Sequence, residues 1–417
     1  MVDMNDNSLI FRNSFWLGFG EFIGKASMFF VTVIVVRYLG PKDYGQLNLA
    51  NSLTATMGIL VNFGLSTIVT RDLSGNLNAA SRYLSNIFTL KLLLGLVYLF
   101  VLLSVSGFYG DGVWTMILLL YGIFFLFQDL TGLLAAFFVA EERMVKIFVL
   151  DIVHNAGAIL AAILVIQLGL GLRELVVGYV LTGALVTMTA YFILVKGKVR
   201  LFPKFETVFF KNILKQSLPL FGSIALGSIY MNADTLMIGK FLGEESVGFY
   251  QGAYKIFFVF QSVNLICTAV FPRISMYAKT GNYQAIRILN WAALGFTGLI
   301  LMPTALVIAI LAEPITLLVY GARMMPSAIV LQWLVWAGAA NFLKVYASNL
   351  IIARNQQKYM LYAVAGGLIL NIVLNLYLIP RFSFPGAAAA LVASELGSVG
   401  LLLLFLKMGR KSIDCEL

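Results

Sequence analysis

The chain has 417 residues, of which 60% are hydrophobic and only 12% charged, and its mean hydropathy is +0.92. Soluble domains carry roughly 25% charged and about 45–50% apolar residues, so this composition excludes a water-soluble globular chain and makes lipid the solvent. The formal net charge of +10 sits largely in short connections between apolar runs, a distribution that marks membrane topology and argues against a nucleic-acid partner.

A spanning helix needs about 20 apolar residues to cross a hydrocarbon core of about 30 Å. Twelve such runs follow one another: 14–36, 44–68, 83–107, 113–140, 146–170, 175–195, 213–239, 247–272, 286–311, 327–353, 359–379 and 386–406. The first run is too long for a signal segment, and no small-residue cleavage site follows it. Its residues Ser14, Gly18, Glu21, Lys25, Met28 and Thr32 are spaced 4, 3, 4, 3 and 4, which keeps them on one helix face. Glu21 precedes Lys25 by four residues, the favoured order for a helical ion pair. Lys25 lies 12 residues before Arg37, or ~18 Å along the axis, near mid-bilayer.

The break "VVRYLGPKDYGQLNLA" then starts at Val35. Gly40 and Pro41 stop the first helix, and Asp43 with Gln46 forms a capping pattern for the second. The second run carries a stripe of Asn48, Asn51, Ala55, Gly58, Asn62 and Ser66, expected to face a protein interior or an aqueous cavity. The third and fourth runs hold Lys91 and Asp129. His154 in the fifth is the only histidine, which excludes a His-based metal cluster and a Ser-His-Asp triad. After the sixth run, "KGKVRLFPKFETVFFKNILK" reads as a solvated linker lying on anionic headgroups. It divides the chain into an N-terminal lobe, 1–200, and a C-terminal lobe, 201–417.

The seventh run carries Asn232 and Asp234 and ends in "IGKFLGEESVGFYQGA", an echo of the first break. At an offset of 203, Leu39, Gly40, Gly45 and Ala50 meet Leu242, Gly243, Gly248 and Ala253. Six helices separate the copies, and an even number preserves orientation, so the halves read as parallel repeats. Each copy is a tight outer hairpin; turn chemistry alone is the other reading. Lys255 lies eight residues beyond Val247, or ~12 Å, and Lys344 sits in the tenth run. Asn371 and Asn375 share a face of the eleventh, and Ser394 and Glu395 follow in the twelfth. Each deep charge costs about 2.5–3.5 kcal/mol on insertion scales, so each is either functional or half of an ion pair between helices. Cys267 and Cys415 suggest neither a disulfide framework nor a metal site.

"RYLGPKDYG", "NADTLMIGKFLGEESVGFYQGA" and "LILNIVLNLYLIPRFSFPGAAAALVASELG", in this order, resemble the polysaccharide-transporter (O-antigen flippase-like) family. That family is similar to multidrug-extrusion transporters and lipid II flippases. The resemblance implies an all-α integral membrane protein of twelve helices, in two parallel six-helix lobes around a central cavity, working by alternating access. It implies a polyprenyl-diphosphate-linked glycan as cargo. Lys25 and Lys255, with Glu21, Lys91, Lys344, Asn48 and Asn62, are the expected substrate contacts. Some relatives bind Na⁺ with an Asp on helix seven and polar groups on helices eleven and twelve; the likeness places a Na⁺ or H⁺ site at Asp234, Asn371, Asn375 and Ser394. Two departures stand out. The deep cations are all lysine where lipid II flippases use arginine, and helix eleven offers Asn where relatives have a second carboxylate. Many lipid II flippases carry two extra C-terminal helices, which are not expected among these twelve runs.

The expected function is thus a flippase for surface polysaccharide assembly, without catalytic residues or an organic cofactor. Membrane lipids surround it, with a polysaccharide polymerase and glycosyltransferases of the same pathway as partners. A cation-coupled multidrug or small-molecule exporter is the alternative. A polytopic polymerase is the third reading, opposed by the lack of a large outer loop; the longest runs from about 312 to 326. Nineteen basic residues on one side against six on the other place both termini in the cytoplasm of an inner-membrane protein. With the native cysteines replaced by serine, Gly40→Cys and Gly112→Cys should label from outside and Gly75→Cys and Gly281→Cys from inside. Reversal at any two would overturn this topology.

Overall fold

The computed structural model describes the backbone over 4–107, 112–197 and 199–413, and side chains over 24–107, 112–197, 199–282 and 284–408. The side chains of Ser14, Gly18 and Glu21, and the whole of Cys415, therefore lie outside the described residues. Among the described residues every regular element is helical. The chain separates into two compact units. One comprises Met1–Leu39 and Ala50–Ser228, the other Gly40–Leu49 and Ile229–Leu417. Helix α1 (Met4–Met57) runs through both. The first unit also contains α2 (Ile59–Asn62), α3 (Leu65–Ser74), α4 (Ala80–Ser106), α5 (Gly112–Ala140), α6 (Met144–Gln167), α7 (Leu172–Lys196) and the start of α8 (Thr207–Leu242). The second holds the end of α8, α9 (Glu244–Phe260), α10 (Leu265–Lys279), α11 (Tyr283–Phe296), α12 (Met302–Ile310), α13 (Ala312–Tyr320), α14 (Ser327–Ala353) and α15 (Gln357–Ile413).

Among the described residues, eight helical stretches are long and apolar enough to cross a membrane, or nine if one bent pair counts as a span; the chain is a multi-pass membrane protein. Two stretches hide a break. In α1 the helical angles fail at Gly40 (φ 81°, ψ −179°), and in α15 at Ser383 (φ 59°, ψ −153°). These are the points where the first run meets the second and the eleventh meets the twelfth. The segment 312–326, expected as a loop, is mostly the short helix α13. Its Tyr320 hydroxyl donates to the Gly252 carbonyl at 3.0 Å.

The second run is not one continuous helix. Phe63 (φ 44°) and Gly64 (φ 75°) are both left-handed and divide α2 from α3. A non-glycine residue in that region stores strain of about 1–3 kcal/mol. Here Phe63 stacks on Phe221 with ring centroids 4.4 Å apart. Asn62 Oδ1 accepts the Gly64 N–H at 3.2 Å, so the asparagine expected on a cavity face braces the turn between two helices.

The basic linker, expected as a solvated stretch on headgroups, is largely exposed, yet its backbone is held to the protein. Residues 199–206 run non-helically along α4. The backbone N–H groups of Arg200, Phe202 and Lys204 donate to Ser81 Oγ, Ser85 Oγ and Thr89 Oγ1 at 3.2, 3.1 and 3.0 Å. Two residues of extended chain advance ~6.6 Å and four residues of helix ~6 Å, so alternate amides meet every fourth hydroxyl. Pro203, which has no N–H to donate, falls between two of the donors. Glu206 closes the strap: its N–H donates to Asn86 Oδ1 at 3.2 Å, and its carboxylate accepts from Arg82 Nε at 3.0 Å and Asn86 Nδ2 at 3.1 Å. These bonds, Arg82 foremost, push the Glu206 carboxyl down to about 2. Its contribution is therefore present at neutral pH and lost as pH falls below the ordinary glutamate range toward 2. Because this strap and the start of α8 pack on α4 and α3, the first compact unit extends to Ser228 rather than ending at 200.

The two hairpins meet each other. Gly243 has φ 84° and ψ −179°, the same conformation as Gly40. A Cβ on Gly45 would stand 1.7 Å from the Glu244 carbonyl oxygen, and one on Gly248 would stand 1.9 Å from that of Pro41. Residue 45 corresponds to 248, and 41 to 244, at the offset of 203. The contact is thus reciprocal, as a local two-fold axis requires. Only glycine lets the backbones approach so closely. Gly45→Ala and Gly248→Ala should each destabilise the protein by at least the about 1–3 kcal/mol typical of overpacking. Thermal unfolding in detergent should show a fall of several degrees for either. Gly75→Ala, with nothing within 4 Å of the added methyl, should leave the midpoint unchanged.

Candidate functional site

Asp234, near the end of α8, is buried. Its Oδ2 accepts the Tyr250 hydroxyl of α9 at 2.6 Å. Its Oδ1 accepts Asn371 Nδ2 at 3.0 Å and Asn375 Nδ2 at 2.7 Å, both from the first half of α15. The helical spacing of four brings both amides to one carboxylate, and Asn375 also donates to Asn371 Oδ1 at 3.1 Å. Three of the four residues that the resemblance groups together are thus in contact. Ser394 is also buried, and its hydroxyl donates to the Leu391 carbonyl at 2.9 Å rather than to Asp234. Tyr250 was not foreseen; it lies 16 residues from Asp234 on the next helix, a separation with no sequence signature.

A second cluster lies across a cavity. Glu395 of α15 accepts Lys344 Nζ of α14 at 2.7 Å and the Tyr230 hydroxyl of α8 at 2.8 Å on Oε1. Its Oε2 accepts Asn341 Nδ2 at 3.2 Å. The Lys344 ammonium also sits 5.1 Å from the Tyr230 ring centroid, within cation–π range. A cavity of about 220 Å³ is lined by both carboxylates, Lys344, Tyr250, Gln251 and Tyr254, among others. With both carboxylates ionised and the lysine protonated, two negative groups face one positive. The wall then carries one uncompensated negative charge, which a small cation or a proton would neutralise.

The donor set suits a hard cation. Oxygen atoms dominate it, and Asn375 Oδ1 is buried without a hydrogen-bond partner. An amide's oxygen and nitrogen are assigned from the surrounding bonds, so turning these two amides would present carbonyl oxygens beside the carboxylate. Among the described residues no group of three or more His, Cys, Asp or Glu side chains could hold a metal. Any cation here would rest on amide, hydroxyl and single-carboxylate oxygens.

The expected substrate contacts scatter. Lys91 is fully buried against Asp129, 2.5 Å away, with side chains 0% and 3% exposed. Breaking such a pair costs about 3–5 kcal/mol, so the geometry leaves Lys91 no room to bind cargo. Lys344 is engaged by Glu395. Asn48 is buried and donates to its own helix at the Tyr44 carbonyl, 2.8 Å away. Along the first-helix stripe Thr32 is buried, Lys25 half-buried and Met28 half-exposed. Lys255, half-buried on α9, makes no hydrogen bond or ion pair among the described residues. Sequence reading passed over Asp151 and Asn155, one turn apart on α6. A methyl on Gly24 would lie 3.7 Å from Asn155 Nδ2, so this polar face meets the first helix beside Lys25. His154 on the same helix stacks on Phe124 at 6.2 Å.

Comparison with known proteins shows what the chain as a whole is similar to. A flippase of Haloferax volcanii, "Probable low-salt glycan biosynthesis flippase Agl15", is 24% identical over 391 residues, covering 92% of this chain and 80% of that one. The fold is similar to "Lipid II flippase MurJ, inward closed conformation", with a TM-score of 0.75, 17% identity, and 94% and 87% of the two chains covered. It is also similar to an inward-facing multidrug resistance MATE family transporter, with a TM-score of 0.72, 14% identity, and 94% and 95% covered. The MatE family matches residues 219–377. The family described as polysaccharide biosynthesis protein matches residues 10–278, well over half of the chain, and it is to this family that the chain belongs.

Proposed function

We propose that the protein is a flippase that moves a polyprenyl-diphosphate-linked oligosaccharide from the cytoplasmic to the outer leaflet for surface polysaccharide assembly. The observation that carries this reading is the match to a glycan-biosynthesis flippase across 92% of the chain. In this reading twelve spans form two six-helix lobes that alternate access to the cargo, and both termini are cytoplasmic. The protein is a transporter and catalyses no covalent step. A lipid-linked glycan is its cargo, and glycosyltransferases and a polymerase act before and after it.

Lys255 suits the diphosphate. It is a lysine within a spanning helix that no acidic side chain among the described residues compensates, and such a charge calls for a ligand or water. Lys25, beside the polar face of α6, is the second candidate. A lysine binds a multivalent anion as a point charge, without the two-pronged geometry of arginine. Flipping is read with a fluorescent polyprenyl-diphosphate oligosaccharide in vesicles, by quenching the outer leaflet chemically. Lys255→Ala should lower the rate about tenfold or more at unchanged protein level, with Lys255→Arg partly restoring it. Wild-type rates in the Lys25→Ala, Lys255→Ala double variant would overturn the assignment.

The coupling ion, Na⁺ or H⁺, belongs at Asp234. Asn371 and Asn375 complete its shell, with Ser394 further along α15, beyond the break at Ser383. Occupancy would neutralise the excess negative charge of the cavity and bias one conformation over another. Asp234→Asn should abolish the response of flipping to an imposed Na⁺ or proton gradient while cargo still binds. A variant that responds as wild type does, or a wild type indifferent to both gradients, would leave Asp234 a structural acceptor for Tyr250 and the two amides.

One observation favours a second reading, a cation-coupled exporter of small molecules. The cavity at Asp234 and Glu395 is walled by Tyr230, Tyr250, Tyr254 and Phe257, carboxylates among aromatics, which suits an organic cation. Export of cationic dyes from vesicles with no movement of the lipid-linked glycan would decide for it.

A further inference from the structure

The helices that carry Lys344 and Glu395 build a second cavity one turn further along. It measures about 450 Å³ and lies among α11, α14 and α15, walled mainly by Leu294, Leu343, Leu350 and Leu403, with Arg354 and Lys407 at one end. Arg354 follows the last residue of α14 and Leu343 stands eleven residues before it, ~16 Å along the axis. On α15, Val399 stands eight residues before Lys407, ~12 Å. Half of a hydrocarbon core of about 30 Å is the depth of one leaflet. The cavity is therefore one leaflet deep, cationic at one end and aliphatic along its length.

Its side is open. Leu294 and Leu403 are 51% and 56% exposed, on helices whose composition places them in hydrocarbon, so the opening faces lipid. The polar groups within it are engaged: the Tyr346 hydroxyl donates to Asn290 Oδ1 at 2.8 Å. Arg354 Nη1 reaches the Leu406 carbonyl at 3.5 Å, which keeps the guanidinium at the mouth, beside Lys407.

We propose that this cavity binds one anionic phospholipid of the surrounding membrane, its phosphate at Arg354 and Lys407 and one chain between α14 and α15. Charge complementarity selects the occupant. A neutral or zwitterionic lipid offers no net anion for two cations. A second protein copy would have to desolvate both. A diphosphate-linked glycan brings more negative charge than two cations match, and sugar hydroxyls that leucine walls cannot bond. A lipid wedged here touches α14 and α15 one turn from the Lys344–Glu395 pair, so its presence props the helices that line the first cavity. The site stands independently of the cargo assigned above.

Native mass spectrometry of the purified full chain tests this with phosphatidylglycerol and phosphatidylcholine of identical acyl chains. Wild type should retain phosphatidylglycerol about tenfold more tightly, from two cations near a membrane surface. Arg354→Gln with Lys407→Gln should abolish the preference; Arg354 follows the end of α14 and Lys407 is exposed, and circular dichroism checks the fold. Lys407→Gln alone, at an exposed side chain, should reduce it. Leu403→Trp should weaken both lipids together by filling the cavity. Equal retention of the two lipids by wild type, or an undiminished preference in the double variant, would overturn the proposal. Displacement of phosphatidylglycerol by equimolar polyprenyl monophosphate would overturn it too, in favour of the carrier lipid.

Discussion

Charge carried into hydrocarbon must be met by a partner, and the interior of both units is organised around that requirement. An isolated ionised side chain at mid-bilayer costs about 2.5–3.5 kcal/mol on insertion scales. In the first unit Lys91 and Asp129 cancel each other in a contact closed to solvent. In the second, Lys344 and Glu395 do so with Tyr230 and Asn341 filling the remaining bonds. Asp234 is met differently, by three neutral donors, which spread its charge without cancelling it. A carboxylate of that kind still gains from a cation or a proton, whereas one already paired with lysine does not. The distinction separates Asp129, a structural acid, from Asp234, a candidate for exchange.

Where helices must turn, glycine sets how closely the backbone can approach itself. Gly40 and Gly243 adopt the same left-handed conformation, and Gly45 and Gly248 sit against the opposite hairpin's carbonyls. A chain of bulky apolar residues has few other ways to bring two backbones into direct contact. The strap of 199–206 applies a related economy at a polar surface. Its amides cannot form a ladder with a neighbouring strand, so hydroxyls at every fourth position of α4 satisfy them. Ser81, Ser85 and Thr89 would otherwise be unremarkable polar residues at the end of a span.

Hydropathy and spacing made much of this legible from the residues alone. The apolar runs, the hairpin echo at an offset of 203 and the shared face of Asn371 and Asn375 are read from the sequence, while the grouping of Asp234 with them comes from the family resemblance. Depth along a helix is fixed at about 1.5 Å per residue, so polar groups at matched depth in different spans become candidates for contact. The same reasoning failed where a residue's role depends on what stands beside it. Asn48 and Asn62 share a helical stripe, yet one bonds its own helix and the other braces the turn at Phe63 and Gly64. Lys91 and Lys255 look alike as deep lysines, and only one has an aspartate against it. Asp151 escaped notice because its face is defined by the neighbouring helix.

The sequence by itself determined the solvent, the helical class and the repeated hairpin, because lipid leaves backbone amides no partner but their own helix and glycine alone tolerates the angles at residues 40 and 243. The tertiary structure decided which charges are cancelled and which remain available: Lys91 against Asp129, Lys344 against Glu395, and Lys255 against neither. It also decided that Tyr250 reaches Asp234 and that the linker lies on α4. Those outcomes depend on the rotation of each helix about its axis and on which helices are neighbours. Periodicity along one segment carries no information about either.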